Sequence, residues 1–345
     1  MNKNLIIKFV VAMTLGLFLG LGLAGFHVYR LWTTPYTGSA VNFKISQGES
    51  FGHINYRLAE AGLISNARLF HYFNRYKKTL NSYKSGTFEI PPGATMEEIH
   101  KQLISGSPLS VGLTIPEGKN MYEIGKILEG HKLCSYQDFI ALAKDAEFMN
   151  ELNVPAGTVE GYLYPETYRF SPDVDAKTIM KTMVHEFKKR TADLNFASTD
   201  LNPHEVVILA SIVEKETGAR KERPIIAGVF HNRLKKKMRL QSDPTTIYGI
   251  FETFSGNIKK SDLLTKSPYN TYMVEALPAG PISNPGIDAI TAVLSPVPSE
   301  YLYFVSNNDG THTFSATYKE HSDHVIELQK NRRAREGKSW RNLKQ

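Results

Sequence analysis

The sequence predicts an α+β protein: an N-terminal transmembrane helix, a small β–α module and a larger α+β domain. Three observations carry this expectation. A run of twenty residues, Phe9 to Val28, contains no Asp, Glu, Lys or Arg. A spaced pattern of apolar residue, glycine, isoleucine and leucine then recurs three times. Near the end, "YLYFVS" and "THTFSA" are joined by Asn-Asn-Asp-Gly, a strong hairpin signal. The boundaries suggested are 1–35 for a cytoplasmic tip and anchor, 41–107 for the module, 108–154 for a connecting β–α segment and 155–345 for the larger domain.

Taking the elements in order, Phe9–Val28 has about the length that crosses a bilayer's hydrocarbon core. Lys3 and Lys8 precede it and Arg30 follows, a bias that favours a cytoplasmic N-terminus with the rest of the chain outside. A cleaved signal peptide would have a shorter apolar core and a small-residue cleavage site, for which "GLAGF" is a poor candidate. An uncleaved single-pass anchor is therefore expected, followed by the linker "LWTTPYTGSA".

The repeated pattern comprises Ile45-Gly48-Ile54-Leu58, Ile90-Gly93-Ile99-Leu103 and Ile115-Gly118-Ile124-Leu128. Each copy reads as a strand end, a glycine turn and a helix with apolar residues at four-residue spacing. Thr95 followed by Glu97 and Glu98 marks a helix start. "SNARLFHYFNRY" supplies a second helix to the first unit, so residues 41–107 form a βααβ module. These spacings resemble the opening of LysM domains, which bind N-acetylglucosamine-containing glycans, although any small β–α unit could use them as a structural spacer.

Ser135–Asn153 is expected to be helical, and "VEGYLYPETYRF" (Val159–Phe170) to be strand or loop. A long helix over roughly Asp175–Arg190 follows, and then the helix "NPHEVVILASIVEKETG". Beyond "RLQSDPTTIYGIF" the text is rich in turns until the hairpin, which leads into a basic C-terminal helix. Composition excludes some classes. A 41% hydrophobic and 22% charged chain is not disordered, and a single cysteine, Cys134, excludes an internal disulfide framework. The net charge of +7 is modest and spread out, with "RLKKKMR" its main cluster, so no nucleic-acid partner is expected.

Chemistry is best sought in the helix that Asn202 and Pro203 open and Gly218 closes. Leu209, Ile212, Val213 and Glu216 fall within about 100° of arc, while Glu214 sits roughly 160° from Glu216. A carboxyl beside an apolar wall, at the negative end of a helix, should have a raised pKa and could protonate a leaving oxygen. A glutamate paired with Arg220, Arg223 or Arg233 would show the same periodicity. Downstream, "QSDPTTIYG" and "SPYNTY" stack amides, hydroxyls and aromatic faces, the groups that hold sugars. Gln241, Asp243, Tyr248, Asn270 and Tyr272 are the candidate substrate-binding residues. There is no phosphate loop, no GxSxG elbow and no metal-ligand spacing among the histidines, so neither a metal nor an organic cofactor is expected.

"LASIVEKETG", "VFHNRLKKKMRLQSDPTTIYG", "SPYNTYMVEALPAGPISNPG" and "YLYFVSNNDGTHTFS" together resemble the endolytic murein transglycosylases, the MltG or YceG-like family. The resemblance implies an α+β catalytic domain anchored in the inner or plasma membrane and facing the cell wall. It implies lytic cleavage of MurNAc-β-1,4-GlcNAc bonds within nascent peptidoglycan strands, with 1,6-anhydro-MurNAc ends as product, alongside peptidoglycan synthases. It places the catalytic glutamate, the second of the Glu-Lys-Glu motif, at Glu216. The competing class is a non-catalytic, membrane-tethered glycan-binding scaffold for the synthases.

Overall fold

The thrice-repeated pattern folds three times into the same local structure. Strands β1 (Val41–Ile45), β2 (Gly86–Ile90) and β3 (Val111–Thr114) are followed by helices α2 (Phe51–Glu60), α4 (Met96–Ser105) and α5 (Met121–Gly130). The turn glycines Gly48, Gly93 and Gly118 have φ of 77°, 85° and 75°, the left-handed region where a side chain is strained. Ser50, Thr95 and Asn120 then cap the helices, each side chain accepting from the N–H three residues on. Every isoleucine and leucine of the pattern is at most 3% exposed, so the spacing records one buried stripe used three times.

The computed structural model describes residues 3–330, and its contacts divide the chain into two units. The first runs to Val111 and includes Ser171–Asp173. In it β1 pairs antiparallel with β2, Phe43 opposite Phe88, and α2 and α3 (Ala67–Lys77) lie between them in sequence. Phe43, Phe51, Phe70 and Phe88 form part of one core. Asp173 reaches this unit through Lys44 at 2.6 Å and the Thr87 hydroxyl at 2.8 Å.

Helix α1 (Lys3–Thr33) contains a span, Ile7–Thr33, long and apolar enough to cross a membrane. The expected linker, "LWTTPYTGSA", begins inside this helix, and its polar groups and rings are committed to the first unit. The Ser65 hydroxyl donates to the Leu31 carbonyl at 2.6 Å, and the Trp32 ring lies 4.1 Å from that of Phe73. Tyr36 and the β2–α4 turn exchange backbone bonds, Tyr36 N to Ala94 O at 2.8 Å and Gly93 N to Tyr36 O at 2.7 Å.

The second unit comprises Gly112–Phe170 and the chain from Val174 onward, so residues 112–154, a connector by sequence, belong to it. Helices α6 (Tyr136–Ala143) and α7 (Ala146–Leu152) are capped by Ser135 and Asp145. Strand β4 (Thr167–Phe170) pairs with β3, and α8 (Ala176–Thr191) starts at the Asp175 cap. Helix α9 (Pro203–Glu216) is packed by α10 (Arg223–Lys235), α11 (Asp243–Gly249) and α12 (Ile287–Leu294). All residues from Val206 to Glu214 are buried. Periodicity predicts one apolar stripe on α9; with helices packed around it, its middle has no water-facing side.

The terminal hairpin forms as expected, β5 (Tyr303–Ser306) antiparallel to β6 (His312–Ser315), turning through Asn308 and Gly310 at positive φ. Helix α13 (Tyr318–Val325) and a π-helical turn to Lys330 follow. The rest of the expected basic C-terminal helix lies outside the described residues.

The turn geometry gives a paired prediction. Gly48→Ala forces a side chain into the left-handed region and costs about 1–2 kcal/mol. Gly52→Ala, in helical backbone with open space around it, gains about 0.5–1 kcal/mol. Urea denaturation of the two variants should move the midpoint in opposite directions.

Candidate active site

Asn202 caps α9 with a reciprocal box, its side chain accepting from Glu205 N at 3.0 Å while Glu205 accepts from Asn202 N at 2.8 Å. Thirteen residues of helix after Pro203 bring Glu216 to the last helical position, and Thr217 turns away in extended backbone. The two glutamates of this last turn meet different surroundings.

Glu214 is 9% exposed, and both of its oxygens are engaged. One accepts from Arg223 at 2.5 Å and the other from Gly286 N at 3.0 Å. Arg223 is itself buried and also faces Glu117 at 3.4 Å. Burial raises the pKa of Glu214 against the pull of Arg223. An arginine-bound glutamate does exist on this helix, and it is Glu214.

Glu216 remains partly exposed, and no described cation lies within ion-pairing distance of it. Its Oε1 accepts a short hydrogen bond from the Ser242 hydroxyl. Burial of the carboxyl is the largest influence and raises its pKa to about 7. The Ser242 bond opposes the rise, nearby Asp243 adds to it, and Arg233 lowers it. The sequence argument used an apolar stripe to separate the two glutamates. In the structure burial raises both, and what separates them is the partner: a guanidinium for the buried Glu214, a hydroxyl for the partly exposed Glu216.

Ser242 precedes α11, where a serine normally caps the first turn. Its side chain makes no such cap, because the hydroxyl is committed to Glu216. Its backbone is held instead: Ser242 N donates to Thr271 Oγ1 at 2.9 Å, Thr245 Oγ1 donates to Ser242 O at 2.6 Å, and the two threonine hydroxyls are 2.8 Å apart. Sequence reasoning missed Ser242, since "SDP" reads as an ordinary helix start.

The five candidate substrate residues divide. Asp243 is exposed and accepts from the Tyr272 hydroxyl at 2.7 Å, so these two join Ser242 and Glu216 in one cluster. Gln241 is exposed, directly precedes Ser242 and holds a left-handed φ of 49°. Asn270 and Tyr248 do not fit the expected role. Asn270 is fully buried, and its amide is spent on Thr246 Oγ1, Tyr272 N and the carbonyls of Leu263 and Thr265. It organises the loop that presents Tyr272. Tyr248 is 7% exposed and directs its hydroxyl at Glu160, with Tyr269 packed edge-on at 4.8 Å.

Two further groups were not anticipated in these roles. Arg233 is buried near Glu216, its guanidinium donating to the carbonyls of Leu302 at 2.7 Å and Leu240 at 2.6 Å. Glu160 is fully buried, accepts from Met121 N at 2.9 Å and Asn284 Nδ2 at 2.7 Å, and is pushed by burial to about 8. Glu166, in the segment "VEGYLYPETYRF", is paired with Arg190 at 2.7 Å.

A partly open acid on a central buried helix, faced by a hydroxyl, a second carboxyl and a tyrosine, is a site suited to proton transfer on a polar substrate. The family model described as the YceG-like family matches residues 43–327. The chain belongs to the YceG-like family. It is 31% identical over 302 residues to the endolytic murein transglycosylase of Bacillus subtilis, covering 82% of this chain and 83% of that protein. It is 27% identical over 321 residues to the endolytic murein transglycosylase of Streptococcus pneumoniae, covering 83% of this chain and 58% of that protein. The crystal structure of a yceG-like protein from Listeria monocytogenes superposes with a TM-score of 0.58 at 32% identity, over 84% of this chain and all of that one.

The Glu214–Arg223 pair yields a stability test. Arg223→Met strands a buried carboxyl and should cost about 3–5 kcal/mol. Adding Glu214→Gln, which keeps an acceptor for Gly286 N, should recover most of that loss in chemical denaturation.

Proposed function

We propose that this protein is a membrane-anchored endolytic lytic transglycosylase. It cleaves MurNAc-β-1,4-GlcNAc bonds within nascent peptidoglycan and leaves 1,6-anhydro-MurNAc ends. The observation that carries this reading is the enclosed carboxyl of the partly exposed Glu216, whose pKa of about 7 keeps a substantial fraction protonated at neutral pH. Its similarity to proteins named endolytic murein transglycosylases supports the substrate class.

In this mechanism Glu216 donates its proton to the glycosidic oxygen as the bond to the MurNAc anomeric carbon breaks. The resulting carboxylate then takes the proton of the MurNAc C6 hydroxyl as that oxygen closes on the anomeric carbon. The substrate supplies the nucleophile, so no second carboxylate is needed to activate water or to form a covalent intermediate. Glu214 and Glu166 being bound to arginines fits this economy. Ser242 fixes the rotamer of Glu216 and occupies Oε1, which leaves Oε2 to carry the transferable proton. Gln241, Asp243 and Tyr272 offer acceptors, donors and an aromatic face to the sugar.

Helix α1 acts as an uncleaved anchor with a cytoplasmic N-terminus and the second unit outside. Trp32 and Tyr36 pack against the core of the first unit, which makes the end of the helix part of the fold. Tethering confines the enzyme near strands emerging at the membrane, where peptidoglycan synthases work.

The full-length protein, incubated with uncrosslinked glycan strands, should yield anhydro-MurNAc ends detected by mass spectrometry, and Glu216→Gln should yield none. Cleavage that survives Glu216→Gln sinks the catalytic assignment. No cleavage by the wild type favours a glycan-binding scaffold, and reducing MurNAc ends indicate hydrolysis.

The pH profile adds a second test. A general acid is lost as it deprotonates, so kcat/KM should fall as pH rises through about 7. The Ser242 bond stabilises the carboxylate. Ser242→Ala should therefore lower kcat by about 10- to 100-fold and move this alkaline limb to higher pH. An unmoved limb would reduce Ser242 to a packing role.

A further inference from the structure

We propose that the outward face of α3 docks on the anionic headgroups of the same bilayer that α1 spans, making the first unit a membrane-seated base. The inference rests on the anchor reading of α1, and distance makes it concrete. Trp32 lies four residues beyond Val28, about 6 Å along a helix. The headgroup layer on each side of the hydrocarbon core is roughly 5–8 Å thick. Whatever packs on Trp32 therefore sits at headgroup depth. Its ring is 4.1 Å from Phe73 and 6.5 Å from Phe70, both on α3. Ser65, just before α3, is bonded to Leu31. Tyr36 is bonded to the β2–α4 turn, so no slack chain lets the unit drift away.

The chemistry of α3 fits an anionic, interfacial surface. From residue 61 to residue 88 there is no Asp or Glu, against five cations: Arg68, Arg75, Lys77, Lys78 and Lys84. Helix α4, also close to the end of α1, carries Glu97 and Glu98 and is the less suitable neighbour for such lipid. Taking the buried Phe70 as the inner side of α3, Arg68, Tyr72, Arg75 and Tyr76 lie roughly 140–240° around the helix, on its outer side. Tyr72 is 66% and Tyr76 82% exposed. Arg68, Arg75 and Lys78 form no ion pair with any described residue. Tyrosine is enriched at the water–lipid boundary on both sides of a bilayer, and unpaired cations beside it are attracted to anionic headgroups within a Debye length.

The test uses the full chain in nanodiscs, with Cys134→Ser and a polarity-sensitive fluorophore on Tyr72→Cys. In discs containing phosphatidylglycerol the label should shift to the blue and resist iodide quenching several-fold more than in phosphatidylcholine discs. The difference should vanish in about 0.5 M NaCl, where the Debye length is only a few ångströms. It should vanish too when Arg68, Arg75 and Lys78 are changed to Glu. Equal emission in both lipids, with co-elution of chain and disc, overturns the proposal alone. A blue shift that needs added glycan strands and ignores lipid charge also overturns it and makes the face a glycan site. Failure to co-elute with the discs overturns the anchor reading and the docking with it.

Discussion

Keeping a carboxyl out of water while leaving it a path to substrate is the constraint on which the second unit depends. Water stabilises a carboxylate, so enclosing one favours the protonated acid. Helix α9 achieves this by being buried on every side through its middle and ending at Glu216. The end of a helix adds to the effect, because its dipole is negative there and disfavours a second negative charge. The loop facing that end is correspondingly over-determined. The buried hydroxyls of Thr245 and Thr271 bond each other and the backbone of Ser242, and the buried Thr246 donates to Asn270, so the loop holds Ser242 against the acid.

The other carboxyls show what the same burial does with different partners. Glu214 is locked to Arg223 and a backbone N–H, which turns its charge into an internal tie rather than a proton donor. Glu160 forms no ion pair among the described residues; it joins the start of α5 to Asn284, and burial drives it strongly toward the neutral form. Glu214 and Glu216 share one turn of helix, yet one position is a structural tie and the other a candidate acid. The difference lies in what the distant residues 223, 242 and 286 bring to them.

That dependence explains what could and could not be read from the sequence. The threefold strand–turn–helix pattern was legible because each copy is local: a glycine needing positive φ, a capping side chain, and apolar residues one helical turn apart. The hairpin was legible for the same reason. Helical phase separated Glu216 from Glu214, and the structure gives the arginine to Glu214, but the apolar stripe was an incomplete guide, since periodicity cannot tell a helix with one buried side from one surrounded by other helices. Asn270 and Tyr248 were misplaced because an amide or a phenol that builds a loop has the same identity as one that grips a sugar. Ser242 was hidden by its position, where a capping role would have sufficed. The apparent linker was illegible because the packing of Trp32 and Tyr36 depends on partners far along the chain.

The central claim is that enclosure holds Glu216 as an acid near neutrality. Infrared difference titration of the wild-type protein against Glu216→Gln measures this directly through the protonated carboxyl C=O stretch. The account predicts a band assigned to Glu216 that disappears with a midpoint near pH 7. A midpoint near the ordinary glutamate value of about 4.3 would contradict it.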